Sequence, residues 1–454
     1  MEDSLHKYAN HLPPPPLSPL YDSLTTNLPH PLMSFSGFTF PPSTPLFPKA
    51  QVVASYLQDY ARAFGLHKYI RFNESVSKVD FESATRRWII RTIVSPSSSG
   101  PADLRYDADL LLICNGHHNV PRYPRIPGID AWLASNRAAH SMFYRRPDCA
   151  PWRLKENHKV LVVGGGPSGQ DVVMDAMVEG SVKEIIHSAS HFRAGSYEGQ
   201  GLKRRPRVVK FGDVIRGEVE FEGRVVDEGI DYVILATGYE VQLPFLSEEF
   251  VRSGIPFPVP PLPKELWNTS YGLFPLARYL FPFSLCGSSD VDNLPSPTSI
   301  FFIGLLVRVV PMPLVEVQAS AALAVFAKPD KVDWTREAGD VVRRYQEFKT
   351  RLGEKGTHEG YFRFEPMEQF DYRDMLVDLM SAIGGGGRPA RRVRMWEREM
   401  YDRRSMLRET WQELEASGEA EEWVRHVGEG KAGKTAEEEW VELLWKVVRR
   451  AEEG

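Results

Sequence analysis

From Lys159 to Val163 the chain is an apolar run that breaks into Gly164-Gly165-Gly166-Pro167-Ser168-Gly169, and a helical pattern follows from Gln170. No other stretch restricts the fold as strongly. Glycines at 164, 166 and 169 have the spacing G-x-G-x-x-G, and a strand before with a helix after is the context that gives the spacing meaning. Gly164 allows a tight turn out of the strand. Gly166 has no side chain, so backbone can approach a pyrophosphate. Gly169 lets helix and strand pack closely. The helix starts at Pro167 and Ser168, where the amides that follow the proline are free N–H groups and the helix end carries a partial positive charge. A glycine-rich turn of an ordinary α/β domain is the plainer alternative, and the flanking elements favour a bound dinucleotide.

The following strand discriminates between nucleotides. It reads Glu184-Ile185-Ile186-His187 and continues Ser188-Ala189-Ser190-His191-Phe192-Arg193. Units that take NAD usually carry an acid about 20 residues beyond the glycines to bind the ribose hydroxyls. None stands just after Ile186. Ser188, Ser190, His191 and Arg193 suit a 2′-phosphate, where an acid would repel and an arginine would form a charge-assisted bond. NADP(H) is therefore expected over NAD(H). The alternative for Arg193 is a solvated surface charge.

A chain of 454 residues suggests two or three domains, at roughly 100–200 residues each. The net charge of −5 gives no global basic field that would draw nucleic acid. Cys114, Cys149 and Cys286 are far apart and form no C-x-x-C pair, which argues against a dithiol centre or a cysteine zinc site. Sparse cysteine fits a reducing compartment, and Met1-Glu2-Asp3 does not open a secretory signal, so a cytoplasmic location is expected. The most apolar stretch, Ser299 to Ala327, contains Arg308, Pro311, Pro313, Glu316 and Gln318. It reads as a buried segment rather than a membrane span. No metal constellation stands out: the adjacent His117 and His118 would point to opposite faces of a strand.

Residues 1–20, with Pro13 to Pro16, read as an extended leader. Val52 to Phe64 has helical spacing, with Gly65 placed to cap it. Strands are expected at about 75–81, 86–94 and 104–107, the last two joined by a turn at Ser95–Gly100. Asp109 to Cys114, before Asn115-Gly116, and Tyr232 to Ala236, before Thr237-Gly238, are short apolar runs of the kind buried on both sheet faces. Phe301 to Leu305 resembles them, and Pro313 opens an apolar helix that runs to about Phe326. The expected fold class is α/β with two dinucleotide-binding, Rossmann-like domains. Residues 129–231 form the NADP-binding domain, inserted into a discontinuous FAD-type domain of residues 21–128 and 232–383. Gly384 to Gly387 breaks the chain before a charged helical tail, 388–454. That tail holds five of the ten tryptophans. Its Trp440, Leu443, Leu444, Val447 and Val448 share one helix face, so it packs on its own domain or docks a partner.

Several segments together resemble the flavin-containing monooxygenase family. They are Tyr21 to Pro29, which includes Thr25-Thr26-Asn27; Phe38-Thr39-Phe40-Pro41; Asn115-Gly116-His117 with Pro121, Pro124 and Pro127-Gly128; Ala236-Thr237-Gly238-Tyr239; and Phe302-Ile303-Gly304 with Glu316 and Gln318. The ordered match covers residues 18–380. The resemblance implies an NADPH- and FAD-dependent monooxygenase that oxygenates a soft nitrogen or sulfur nucleophile of a small molecule with molecular oxygen, through a C4a-hydroperoxyflavin. It implies Asn27 as the catalytic side chain, whose plainer alternative is a turn asparagine. It implies Asn115, Gly116, Thr237 and Gly238 beside cofactor. Self-association into a homo-oligomer is compatible with this reading.

Two departures accompany the resemblance. The family fingerprint F-x-G-x-x-x-H-x-x-x-[Y/F] keeps His140 and Tyr144 but has Ala134 and Asn136 at its Phe and Gly positions. Second, family members begin with a strand, a G-x-G-x-x-G loop and a helix that bind the FAD pyrophosphate. Residues 1–130 contain only Gly37, Gly65, Gly100, Gly116 and Gly128. The first domain is thus expected to be incomplete at its N-terminal side, with a parallel sheet left open at one apolar edge. That leaves a second reading, a non-catalytic NADP(H)-binding relative without functional flavin.

Overall fold

The computed structural model describes residues 18–94, 103–178, 182–192, 201–256, 258–284, 295–384 and 391–453. The leader ahead of Ser18, the Ser95–Gly100 turn, Arg193 and Gly385 to Gly387 lie outside the described residues. The chain divides into two compact units, one of residues 1–24 and 117–240 and one of 25–116 and 241–454.

The first unit is built on a five-stranded sheet, in the order Ala138–His140, Tyr232–Leu235, Lys159–Val163, Glu184–Ser188 and Leu202–Arg205. Every neighbouring pair is parallel. Its central strands are apolar runs because both faces are covered, and Val160, Leu161 and Val162 are almost wholly buried. Helix Pro167–Val178 crosses from the middle strand to Glu184–Ser188, the connection a parallel pair requires. Tyr232–Leu235 pairs with Lys159–Val163 inside this sheet, so it lies with the nucleotide unit rather than opening the returning segment. An apolar run carries no mark of which parallel sheet it will join, which is why sequence alone set it at the boundary.

In the second unit, strands Glu74–Glu82, Arg87–Val94 and Asp103–Ala108 form an antiparallel meander, and Ala50–Ala63 is the expected helix, followed by Gly65 at φ +60°. Leu111–Ile113 pairs in parallel with Ile300–Phe302. Among the described residues these two strands make up their sheet. The apolar helix begins at Pro311 and runs to Ala327, two residues ahead of the expected Pro313. Both prolines sit in the first turn, where the backbone N–H has no helical partner, so either can open a helix. The amide of Val310, just outside, donates to Gln369 Oε1 at 2.6 Å. Among the described residues no helix is long and apolar enough to cross a membrane.

The tail forms helices Met395–Asp402, Arg404–Ser417, Ala420–Val424 and Ala436–Glu453. Trp411, Trp440, Leu444, Val447 and Val448 share a core with Leu28, Phe40 and Tyr56. The tail is thus part of the second unit, and the shared helix face is spent on that core. Trp411→Ala should cost this unit about 3–5 kcal/mol. Denaturant unfolding followed by far-UV circular dichroism checks it, and a change under about 1 kcal/mol would contradict this packing.

Candidate functional site

The glycine loop divides its three glycines by what surrounds them. Gly164 has φ +127°, and a Cβ there would meet Ala236 O at 2.2 Å. A Cβ on Gly169 would meet Gly164 O at 2.0 Å. These two are required by the protein's own packing of loop, helix and strand. A Cβ on Gly166 would meet nothing within 4 Å. That open space borders the start of helix Pro167–Val178, where Pro167 has no N–H and the amides of Ser168 and Gly169 precede the first helical bond, Gln170 N to Gly166 O at 3.1 Å. Free amides at a helix start beside open backbone are what a pyrophosphate needs, so the residues present fit a dinucleotide.

His187, which the motif did not single out, holds the loop. It is buried, and its Nε2 lies 2.9 Å from Gly164 O. Burial pushes its pKa below the ordinary value, so the neutral ring donates Nε2–H to that carbonyl. Its signal in the sequence was a histidine directly after the apolar pair Ile185-Ile186.

Beyond the strand, Ser188 is buried and its hydroxyl donates to Pro206 O at 2.7 Å. Ser190 and His191 are exposed on the turn. The adjoining strand adds cations that sequence reasoning missed. Its register sets Arg204 beside His187 and Arg205 beside Ser188. Lys203 and Arg205 both bond the buried Asp227. Burial alone would raise the pKa of Asp227, and the bonds from Arg205 and Lys203 more than offset that and hold it low. Arg204 instead lies over the Phe192 ring, 5.2 Å from its centroid, at the turn that carries Ser190 and His191. Only the parallel pairing brings residue 204 to residue 187, which is why spacing along the chain could not reveal it.

Thr237 and Gly238 belong to this unit. The Thr237 hydroxyl donates to Arg122 O at 2.5 Å, and Arg122 N donates to Gly238 O at 2.9 Å. His140 Nε2 also lies 2.9 Å from Gly238 O, while Nδ1 accepts from Met142 N at 3.1 Å. The proton is therefore on Nε2, and His140 is a satisfied positioning residue. Tyr144 donates to Asp175 Oδ2 at 2.7 Å, and Tyr21 to Asp171, both carboxylates standing on the glycine-loop helix. Asn136 explains the departure at the fingerprint glycine: its φ is +59°, a conformation asparagine tolerates better than most residues.

Asn27, Asn115 and Gly116 belong to the second unit. Asn27 is exposed in a turn held by Thr26, whose amide donates to Pro48 O at 3.0 Å and whose hydroxyl donates to Leu28 O at 2.8 Å. Asn115 and Gly116 are exposed just past the C-terminal end of Leu111–Ile113, with Gly116 at φ +73°. At the end of the paired strand, the amide of Gly304 donates to Gln318 Oε1 at 3.0 Å. The C-terminal ends of parallel strands are where α/β sheets bind ligands. Among the described residues no group of three or more His, Cys, Asp or Glu could hold a metal ion.

A five-stranded parallel sheet with this loop defines an α/β nucleotide-binding protein of the Rossmann type. The comparisons narrow that class. A family profile, flavin-binding monooxygenase-like, matches residues 4–194. Flavin-containing monooxygenase FMO GS-OX-like 2 of Arabidopsis thaliana is 27% identical over 421 residues, 87% of this chain and 79% of the relative. The thiol-specific monooxygenase of Saccharomyces cerevisiae is 26% identical over 379 residues, 80% of this chain and 79% of the relative. The solved structure of S-allyl-L-cysteine S-oxygenase from Allium sativum superposes with a TM-score of 0.67 at 24% identity, covering 90% of this chain and 85% of that one. Over residues 4–194 by profile, and over most of its length by these relatives, the chain is similar to flavin-containing monooxygenases.

Gly166→Ala should leave the thermal midpoint unchanged and weaken NADPH binding at least about tenfold, whereas Gly169→Ala should destabilise the unliganded protein; calorimetry and fluorescence titration read the two effects. Burial pushes the His140 pKa down from 6.5 to about 4. The unfolded chain therefore binds this proton more readily. The stabilisation is complete above the unfolded value and is lost as pH falls toward the folded one, by up to about 1.4 kcal/mol per pH unit. Urea unfolding across that window should show the loss, and His140→Gln should remove its share and leave that of other buried histidines such as His30 and His187.

Proposed function

We propose that the chain is an NADPH- and FAD-dependent monooxygenase acting on a soft nitrogen or sulfur nucleophile of a small molecule. The observation that carries the nucleotide part is the open space at Gly166 between two glycines closed by packing. The substrate class is supported by the named relatives, two of which are a thiol-specific monooxygenase and an S-oxygenase.

The chain's own residues do the following. The Ser168 and Gly169 amides hold the pyrophosphate. Ser190, His191 and Arg204 receive the 2′-phosphate, with Arg204 supplying the charge-assisted bond. His140, through Gly238 O, fixes the Thr237-Gly238 turn. Asn27 presents its amide at an exposed turn and hydrogen-bonds the reacting centre. FAD, when bound, supplies the oxygen chemistry. The described residues of the second unit offer a flavin the strand ends at Asn115-Gly116 and Gly304, but no G-x-G-x-x-G precedes Gly164 in the sequence. These residues alone do not make a second pyrophosphate cradle.

A second reading is an NADP(H)-binding protein without functional flavin, which the glycine loop at Gly164–Gly169 would serve equally well. Visible absorbance of the purified protein separates the two: a flavin band together with thioether-stimulated NADPH oxidation supports the monooxygenase, and NADPH binding without a flavin band supports the alternative. Within either, Arg204→Ala should raise the Kd for NADPH by about 10–100-fold, the worth of one charged bond, and leave that for NADH unchanged. An equal loss for both nucleotides would contradict the phosphate assignment.

A further inference from the structure

A cavity of about 50 Å³ opens within the second unit, between the segment Pro31–Thr39, Pro313 and the helices that carry Arg373, Trp396 and Trp440. At about 10–15 Å³ for each water-sized occupant, it holds a group of a few heavy atoms. Its polar lining is a chain of ion pairs. Glu397, with 4% of its side chain exposed, accepts from Arg373 Nη1 at 2.8 Å and Arg391 Nη2 at 2.9 Å, and from the Arg394 amide at 3.2 Å. Glu437 accepts from Arg391 Nη1 at 3.2 Å and Arg394 Nη1 at 2.6 Å. Outside the lining, Glu316 accepts from the amide of Ser36 at 3.1 Å.

The acceptors here are engaged, and donors are left over. Arg373 Nε, Arg391 Nε and Trp396 Nε1 are buried without a hydrogen-bond partner among the described residues. Arg373 is itself only 4% exposed. In the paired network the guanidinium groups of Arg373, Arg391 and Arg394 already engage the carboxylates of Glu397 and Glu437, so what the cavity lacks is acceptors. A buried donor without an acceptor is costly. An apolar occupant would satisfy none of the three donors, and each water would bring donors of its own that need acceptors. A carboxylate only accepts, and a guanidinium matches it in plane and spacing.

We propose that this cavity, lined by Arg373, Arg391 and Trp396, binds a small carboxylate of about acetate size. None of its residues belongs to the nucleotide loop or to the turn at Ser190 and His191, so the site does not rest on the NADP(H) assignment.

Thermal unfolding of the full chain tests it, with sodium acetate titrated against sodium chloride at constant ionic strength. Acetate should raise the midpoint saturably and chloride should not. Trp396→Phe keeps the ring and removes the N–H, and Arg391→Gln removes a charge at a partly exposed position. Each should raise the acetate concentration needed for half the effect by about tenfold. If Arg391→Gln fails to fold by circular dichroism, Trp396→Phe carries the comparison. An acetate effect no larger than that of chloride, or a half-effect concentration that neither variant raises above that of the unaltered chain, would overturn the proposal. So would a crystal soaked in bromoacetate that shows only water in the cavity.

Discussion

The nucleotide unit depends on one close approach, that of the glycine loop to the strand end at Ala236. Backbone occupies the space where side chains at 164 and 169 would stand. That contact brings the start of helix Pro167–Val178 over the C-terminal edge of the sheet, and the buried His187 ties the Gly164 carbonyl down from the neighbouring strand. The phosphate-binding geometry follows from packing already complete without a ligand. Gly166 is left as the one of the three glycines whose missing side chain the protein's own packing does not require.

Much of this was legible from the chain. The strand, loop and helix could be read because apolar runs, glycine spacing and helical periodicity are local signals. The same holds for the meander and for the tail helix face at Trp440 to Val448. What could not be read depends on pairing between distant segments. Tyr232–Leu235 looks the same in either parallel sheet. Arg204 reaches the nucleotide turn only through its register with His187. Ser188 looked like a phosphate ligand by position, yet its hydroxyl is turned toward Pro206, because alternate residues of a strand face opposite ways.

The fingerprint region shows how a broken motif can keep its geometry. Asn136 stands where the family pattern has glycine and adopts the left-handed conformation itself. His140 then serves as a fixed, neutral hydrogen-bonding bridge to Gly238 rather than as an acid or base. The second unit is organised differently. Its short parallel pair, Leu111–Ile113 with Ile300–Phe302, shares one core with the helix Pro311–Ala327, and a tryptophan-rich C-terminal layer packs in another core on the segment following Asn27.

The most direct measurement of the central claim is backbone amide hydrogen exchange of the purified chain with and without NADPH. The account predicts slowed exchange at Ser168 and Gly169 and along the Ala189–Phe192 turn. Protection by NADPH that leaves the Ser168 and Gly169 amides unchanged would contradict it.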